Sequence, residues 1–310
     1  MDSVVAQAPP MRRRLRAPKF LLAIPGFVWY GFFYAIPVLF IVINSFGYKP
    51  SVNEKGSVRL DRLSFDNYRD IWTPQFRQVF SNTMAIAGMA TLLCIVLGLP
   101  VAYFIATKAG PRMKALLLVL VIVPFWMSFF VRTSAWKIVF AKTGFLNNFL
   151  IDWSVISSPI DIIGTKGAVL LALVYNYLPL MIFPLFVSLD RIEPELREAS
   201  KDLGAGRIKT FGSVTIPLAA PGIAAGALLT FIPMAGDYVT ATILGGAKGN
   251  MIGASIYNFA VQGQDTPKGA AAAVVLVMLI LAVVASAGLI VGLVKYAFSL
   301  NRRVNIGMAS

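Results

Sequence analysis

The feature that most constrains this chain is a series of apolar runs, several of them longer than 18 residues, spread from one end to the other. A run of that length without charges can cross the hydrocarbon core of a bilayer as a helix. The runs do not alternate with period two, so they do not fit the strands of a membrane barrel. The sequence therefore predicts an all-α polytopic membrane protein. Its six predicted spans are 20–46, 81–107, 115–138, 167–189, 215–236 and 269–296.

The charge content agrees with a membrane protein and argues against a nucleic-acid partner. Charged residues make up 14% of the chain, whereas soluble domains carry about 25%. The net charge of +14 would raise nucleic-acid binding as a hypothesis for a soluble protein. Here the basic residues cluster in short segments between the apolar runs, which the positive-inside rule already explains. We therefore expect membrane lipid and no nucleic acid around this chain.

The same basic residues predict the orientation. Six spans place both termini on one side, together with the 108–114 turn and the 190–209 segment. Those four regions, with Lys295 counted in the C-terminal one, hold 16 of the 28 lysines and arginines. Because short basic segments stay in the cytoplasm, we expect both termini and the 190–209 segment to be cytoplasmic.

The chain lacks the usual signals of catalysis and metal binding. It contains no histidine, which removes the commonest general base and a frequent metal ligand. No phosphate loop is present, since the nearest stretch, 204–210, has the wrong spacing and follows a helix. The single cysteine, Cys94, lies in an apolar run and is interpreted as a packing residue. We expect no catalytic residue, no metal and no cofactor bound by this chain.

One segment between two spans is highly charged. Ten charges lie between Asp190 and Lys209, and at about 2.5–3.5 kcal/mol for each charge at a bilayer centre this segment cannot lie in lipid. Pro194 suits the first turn of a helix and Gly204 suits its end. An apolar stripe at helical spacing is formed by Ile192, Leu196, Ala199 and Leu203. The sequence predicts a short amphipathic helix that either rests on headgroups or docks on a partner protein.

The same segment resembles the EAA loop of ABC importer permeases. The resemblance rests on Glu198-Ala199-Ser200, then Gly204, then Pro217 in Val-Thr-Ile-Pro-Leu. In that family the loop is the coupling helix that sits in a cleft of the cytoplasmic ATPase. The resemblance therefore implies ATPase coupling by Glu198, Ala199, Ser200, Leu203, Gly204 and Pro217. Ser200 stands where the family usually has alanine, and because serine is also small we expect docking to survive.

Other segments resemble polyamine permeases. Residues 124–136 are similar to that subfamily's Pro-Phe-Trp…Arg-Thr-x-Ala-Trp segment, and 144–148, 236–253 and 267–271 are similar to later parts of it. The subfamily imports spermidine and putrescine, while its relatives move opines and other small organic cations. In these systems an external binding protein makes most of the substrate choice. The candidate residues of a substrate path are Trp126, Arg132, Asp237 and Tyr238.

Two of these candidates have alternative interpretations. Asp237 either attracts a cationic solute or is an acid at a helix end in the membrane interface. Arg132 either extends its charge to the interface or helps to shape a gate. In span five, Gly222 and Gly226 either permit close helix packing or belong, with Pro217, Pro221 and Pro233, to a helix that lines a pathway.

The resemblance implies a type I ABC importer permease fold with about six transmembrane helices, in a bacterial inner membrane. The predicted parts are a cytoplasmic tail (1–19), a first span with its periplasmic loop (20–80), a permease core (81–296) and a second tail (297–310). The partners implied are two ATPase subunits that use the ATP, a second permease and a periplasmic solute-binding protein. The alternatives are a permease for an opine, amino acid, iron or sulfate, an ion-coupled secondary transporter, and a membrane scaffold. An ion-coupled transporter needs intramembrane acids, which the spans almost lack.

Overall fold

The computed structural model describes residues 19–50 and 58–307, and within them the chain is built from helices without a named β-strand. The first seven helices are α1 (Lys19–Tyr30), α2 (Ile36–Asn44), α3 (Asp66–Ile71), α4 (Pro74–Thr107), α5 (Pro111–Ile122), α6 (Phe129–Val139) and α7 (Phe145–Asp152). The next seven are α8 (Lys166–Asp190), α9 (Pro194–Asp202), α10 (Arg207–Thr210), α11 (Ile216–Ala235), α12 (Tyr238–Thr240), α13 (Ile252–Tyr257) and α14 (Thr266–Gly307). Most of the N-terminal tail and the last three residues of the C-terminal tail lie outside the described residues.

Within the described part of the chain, five helical stretches are long and apolar enough to span a membrane, or six if a bent pair counts as one. The five are Ala23–Asn44, Pro74–Thr107, Lys166–Asp190, Arg207–Ala235 and Thr266–Ser286. The bent pair is Pro111–Trp126 with Phe129–Val139. The sequence-predicted number of about six therefore holds when α5 and α6 are counted together.

The third predicted span, 115–138, is broken in the structure, because α5 and α6 meet at an angle of 88°. A 3₁₀ turn, Val123–Trp126, follows α5, and Pro124 in that turn has no N–H to donate. Met127 and Ser128 then adopt extended ψ angles of 146° and 131°. The chain leaves the axis of α5 there, and α6 packs against α8 instead of continuing outward.

The long polar segments between the predicted spans also contain helices. In the first, α3 and the start of α4 replace the expected loop, and Phe76 is buried against Ala271 and Ala272 of α14. The hydroxyl of Thr73 caps α4 by accepting a hydrogen bond from the Phe76 N–H at 3.2 Å. The second segment contains α7, and the third contains α12 and α13.

The centre of the protein is formed by α4, α8 and α11. Small and medium apolar side chains from all three helices make one buried cluster, among them Ala90, Cys94, Leu173, Met181 and Met234. The predicted packing role of Cys94 is confirmed, since its side chain is fully buried there.

Glycine permits the closest approach between α8 and α11. A Cβ added at Gly222 would lie 2.3 Å from the Ser188 Cβ and 2.6 Å from the Pro184 carbonyl oxygen. At Gly226 the added atom would lie 2.7 Å from the Met181 sulfur. These distances support the packing interpretation of the Gly222 and Gly226 pair.

Gly222→Ala is expected to destabilise the protein, because the new methyl group meets backbone that cannot move aside. Overpacking of this kind costs about 1–3 kcal/mol, so we expect a lower unfolding temperature in detergent. Gly88→Ala in α4 is the matched control, since nothing lies within 4 Å of its added Cβ and alanine favours a helix by about 1 kcal/mol. Equal unfolding temperatures for the two variants would contradict the close-packing interpretation.

Candidate functional site

The first candidate site is the charged segment, which folds as predicted into a short helix. Helix α9 spans Pro194–Asp202, and Gly204 follows it with a φ of +81°. The Gly204 N–H donates to the Lys201 carbonyl oxygen at 2.8 Å, and the Ala205 N–H donates to the Ser200 carbonyl oxygen at 3.1 Å. These two bonds form a Schellman motif, which requires a left-handed residue and favours glycine.

The predicted apolar stripe is divided between the interior and the surface. Ile192 is buried in the central cluster, whereas Leu196 and Ala199 are exposed. Leu203 lies outside the predicted spans, and its side chain is nevertheless 89% exposed. Exposed apolar side chains beside a charged helix are typical of a protein interaction surface.

The helix α9 is tied to the start of the next span. The Ser200 and Thr210 hydroxyl oxygens lie 3.1 Å apart and are hydrogen-bonded. Thr210 ends α10, which continues through a π-helical turn, Phe211–Thr215, into α11. Serine at position 200 therefore makes a bond to the base of α11 that alanine could not make.

The remaining coupling candidates lie on the same end of the molecule. Pro217 is the second residue of α11, directly after the π-helical turn, and its side chain is exposed. Glu198 is exposed and lines a cavity between α9 and the end of α4. At the same end of the molecule, Lys114 of α5 forms an ion pair of 2.6 Å with Asp190, the last residue of α8.

The second candidate site surrounds Arg132 on α6. Arg132 is only 5% exposed, so its side chain is covered by the protein itself. The guanidinium carbon lies 5.1 Å from the Phe125 ring centroid and 5.7 Å from that of Phe129. Cation–π contacts at these distances stabilise a cation, but Nε and Nη1 have no hydrogen-bond partner among the described residues.

Asp237 precedes α12 and is 6% exposed. Its carboxylate accepts hydrogen bonds from the Thr240 N–H at 3.0 Å and from the Thr240 hydroxyl at 2.6 Å. The first of these caps α12. Tyr177 of α8 interacts electrostatically with the carboxylate.

Tyr177 connects the two charged groups. It interacts electrostatically with both Asp237 and Arg132, and its ring lies 5.8 Å from that of Phe129. Ionisable groups buried between apolar helices are costly, and in membrane proteins they usually mark functional sites.

Sequence reasoning missed four polar residues of this cluster: Thr133, Asn176, Tyr177 and Thr240. All but Tyr177 are fully or almost fully buried, and the Asn176 amide donates to the Thr133 hydroxyl at 3.1 Å. The signal that could have identified two of them is the Asn-Tyr pair in the middle of an otherwise apolar span. We use the name α6–α8–α12 polar cluster for Arg132, Asp237 and these four residues.

Of the four predicted path residues, Arg132 and Asp237 are buried, and Tyr177 interacts with both. Trp126 is 82% exposed at the end of the 3₁₀ turn. Tyr238 is partly exposed and stacks on Tyr257, with ring centroids 5.1 Å apart and planes 17° apart. These two aromatic residues are therefore outside the buried cluster.

Comparison with known proteins gives consistent relatives. The model of one family, described as "Binding-protein-dependent transport system inner membrane component", matches residues 95–295. The spermidine/putrescine transport system permease protein PotB of Haemophilus influenzae is 36% identical over 82% of this chain and 87% of that protein. PotB of Escherichia coli is 38% identical over 80% of this chain and 88% of its own length.

Solved structures show the same fold. A chain of a bacterial ABC transporter that imports the acidic polysaccharide alginate superposes with a TM-score of 0.68 and 16% identity, over 88% of this chain and 94% of that one. The family match covers most of the chain, and the PotB relatives are aligned over most of their length. The chain therefore belongs to the family of binding-protein-dependent transport system inner membrane components, and it is a non-catalytic permease subunit of an ABC importer with the type I fold.

Proposed function

We propose that this chain forms the translocation path for a polyamine of the spermidine or putrescine type. The observation that carries the proposal is the buried carboxylate of Asp237, two residues beyond the end of α11. The PotB relatives of this chain are spermidine/putrescine permeases. A protonated amine is a suitable ligand for a buried carboxylate. Two aromatic rings, Tyr238 and Tyr257, lie beside this acid and suit a cation as well.

The α6–α8–α12 polar cluster is proposed to act as a gate. In the conformation described here Asp237 and Arg132 are both covered, and Tyr177 interacts electrostatically with both. A polyamine is repelled by that arginine while the cluster is closed. Movement of α6 away from α8 would expose the carboxylate and remove the repulsion, so opening and cation binding would occur together.

The driving movement is proposed to enter through α9. We place Glu198, Ala199, Ser200, Leu203 and Gly204 at the contact with a cytoplasmic ATPase subunit. The exposed side chain of Leu203 and the bond between Ser200 and Thr210 support this placement. Because α10 continues into α11, a displacement of α9 would be transmitted to the helix that ends two residues before Asp237.

The assembly is proposed to contain a second permease, two ATPase subunits and a periplasmic solute-binding protein, in a bacterial inner membrane. One alginate transporter chain of this fold comes from a complex with a ligand-bound periplasmic protein, which supports the last partner. The ATP is used by the ATPase subunits, as expected for a chain without a phosphate loop.

The proposed orientation has the α9 end in the cytoplasm. In a Cys94→Ala background, a cysteine at Lys142 should react with a membrane-impermeant maleimide in intact cells that have a permeable outer membrane. A cysteine at Arg112 should react only after the inner membrane is opened. Both side chains are exposed, so the reverse labelling pattern would contradict this orientation.

The substrate is tested by uptake of radiolabelled putrescine and spermidine in cells with and without this gene. We expect loss of uptake in the deletion strain. Uptake in the parent should stop on ATP depletion but continue with an ionophore, which also separates an ABC importer from ion-coupled transport. Unchanged polyamine uptake would reject the polyamine and leave an opine, amino acid, iron or sulfate as the solute, to be identified with unlabelled competitors.

A further inference from the structure

A cavity of about 640 Å³ lies beside the coupling helix α9 and has no assigned role. Its walls come from the C-terminal end of α4, one face of α9 and the start of α10 with the π-helical turn that follows. Pro194, Arg197, Glu198 and Lys201 form the α9 wall, at the spacing of one helical face. The exposed apolar residues Leu196 and Leu203 are not part of this wall.

The cavity carries an excess of positive charge. Four basic side chains line it (Lys108, Arg197, Lys201 and Arg207), against the single acid Glu198. Among the described residues none of these four forms an ion pair. The Arg197 Nη1 atom is buried without a hydrogen-bond partner. A buried, unpaired guanidinium nitrogen is costly, and an anion in the cavity would satisfy it.

The other end of the cavity is apolar and lies within the spans. Pro100 and Tyr103 of α4 and Phe211 line it, and the Tyr103 and Phe211 rings meet edge to face at 5.3 Å. Beyond Pro100 a second groove of about 440 Å³ runs between α4 and α5. Its lining is entirely apolar: Pro100, Val101, Phe104, Ile105, Leu117, Leu120 and Val121.

We propose that this pair of grooves binds one anionic phospholipid of the cytoplasmic leaflet. The headgroup phosphate occupies the space among the four basic side chains, and an acyl chain follows the apolar groove between α4 and α5. Charge complementarity selects the anionic headgroup, and the apolar continuation into the spans selects an amphiphile. An acidic segment of the ATPase would satisfy the charges and leave the apolar groove uncovered.

The lipid would act on coupling, because Arg197 and Lys201 belong to the helix that we propose to contact the ATPase. A phosphate held between α9 and Lys108 of α4 would fix the distance between the coupling helix and the central bundle. The assignment of the lipid to the cytoplasmic leaflet depends on the orientation proposed above. The charge and the shape of the cavity are independent of that orientation.

The experiment measures lipid binding, which needs neither substrate nor ATP. The purified full chain is titrated with phosphatidylglycerol, and separately with phosphatidylcholine, in mixed micelles, and bound lipid is counted by native mass spectrometry. We expect one saturable phosphatidylglycerol and no saturable phosphatidylcholine. In the double variant Lys108→Gln and Arg207→Gln the apparent affinity should fall about tenfold or more, since each basic group at an anionic surface contributes appreciably.

Two control variants test whether lipid binding depends on the basic side chains that line the cavity. The variant Lys137→Gln and Lys166→Gln loses the same charge from exposed residues at the other end of the spans, and it should bind like the unchanged protein. Lys108→Arg keeps the charge and should also retain binding, which separates loss of the site from loss of folding. Equal phosphatidylglycerol binding by the cavity double variant and the control double variant would overturn the proposal.

Other ligands are distinguished in the same system. Competition by inorganic phosphate at millimolar concentration would show that the cavity binds a free anion, and the lipid proposal would be wrong. If the cavity variant instead fails to co-purify with its ATPase in micelles without anionic lipid, the cavity is a protein contact, and the lipid proposal would again be wrong. A failure of polyamine uptake would affect neither result.

Discussion

Gly204→Val is expected to reduce solute uptake at least about tenfold while the protein reaches the membrane in normal amount. Gly204 has a φ of +81°, a conformation that costs an L-residue about 1–2 kcal/mol and a β-branched residue more. No atom lies within 4 Å of the added Cβ, so the effect is confined to the backbone at the end of α9. The Schellman bonds would be lost and Leu203 displaced. The measurement is uptake by transformed cells, together with the ATPase activity of the purified complex, which we expect to persist without transport.

The matched control is Gly206→Val. Gly206 is also exposed and also has no atom within 4 Å of its added Cβ, but its φ is −65°, where valine fits. It lies only two residues away, so both variants add the same side chain to the same segment. Normal uptake in a well-expressed Gly204→Val variant, or equal losses in the two variants, would contradict a coupling role for the helix end.

Asp237→Asn is expected to produce the second large effect, a fall in uptake of about tenfold or more with little change in folding. Asparagine caps a helix about as well as aspartate, so it keeps the cap of α12 that the Asp237 carboxylate makes with the Thr240 N–H. The substitution removes the negative charge that we propose to receive the cation. Transport assays should therefore show the loss, and the unfolding temperature in detergent should stay close to that of the unchanged protein.

The control for this variant is Thr240→Val, which keeps the charge of Asp237 and removes the 2.6 Å hydrogen bond to it. Valine has nearly the shape of threonine, so the buried site is filled, and we expect a smaller loss of uptake than in Asp237→Asn. If Asp237→Asn transports normally, the carboxylate is only a helix cap, and the interpretation of Asp237 as a helix-end acid replaces the gate.

The two variants separate the two ends of the proposed mechanism. Changes at Gly204 should affect uptake of every solute, because they act on the transmission of movement from the ATPase. The effect of a substitution at Asp237 on uptake should depend on the charge of the solute. If both sites work as proposed, the complex carrying either variant should still hydrolyse ATP but should no longer transport the solute.

Parts of the fold followed from local patterns in the sequence. The positions of the spans depend on long apolar runs, and the helix α9 on Pro194 and Gly204 at its ends, so both were predicted. The helices inside the predicted loops were missed, because α3, α12 and α13 are short and are held by contacts with distant residues. Phe76 illustrates this, since its burial depends on α14, nearly two hundred residues later.

The candidate gate was predictable only in part for the same reason. Arg132 and Asp237 were identified from their charge and from the resemblance of their segments, but a position in the sequence does not give depth in a membrane. The sequence placed Arg132 near the outer end of the third span and left both the interface and a gate open for it. In the structure it lies on α6, beyond the 88° bend, and is buried by the protein.

The sequence by itself determined the membrane class, the approximate spans, the charged helix outside them and the glycine that ends it, because hydrophobicity and backbone preference act over a few residues. Only the tertiary structure decided which polar groups meet. Tyr177 joins Asp237 to the surroundings of Arg132, and Ser200 joins α9 to the base of α11. These contacts depend on helices far apart in the chain packing side by side, and no local pattern specifies which faces they present to one another.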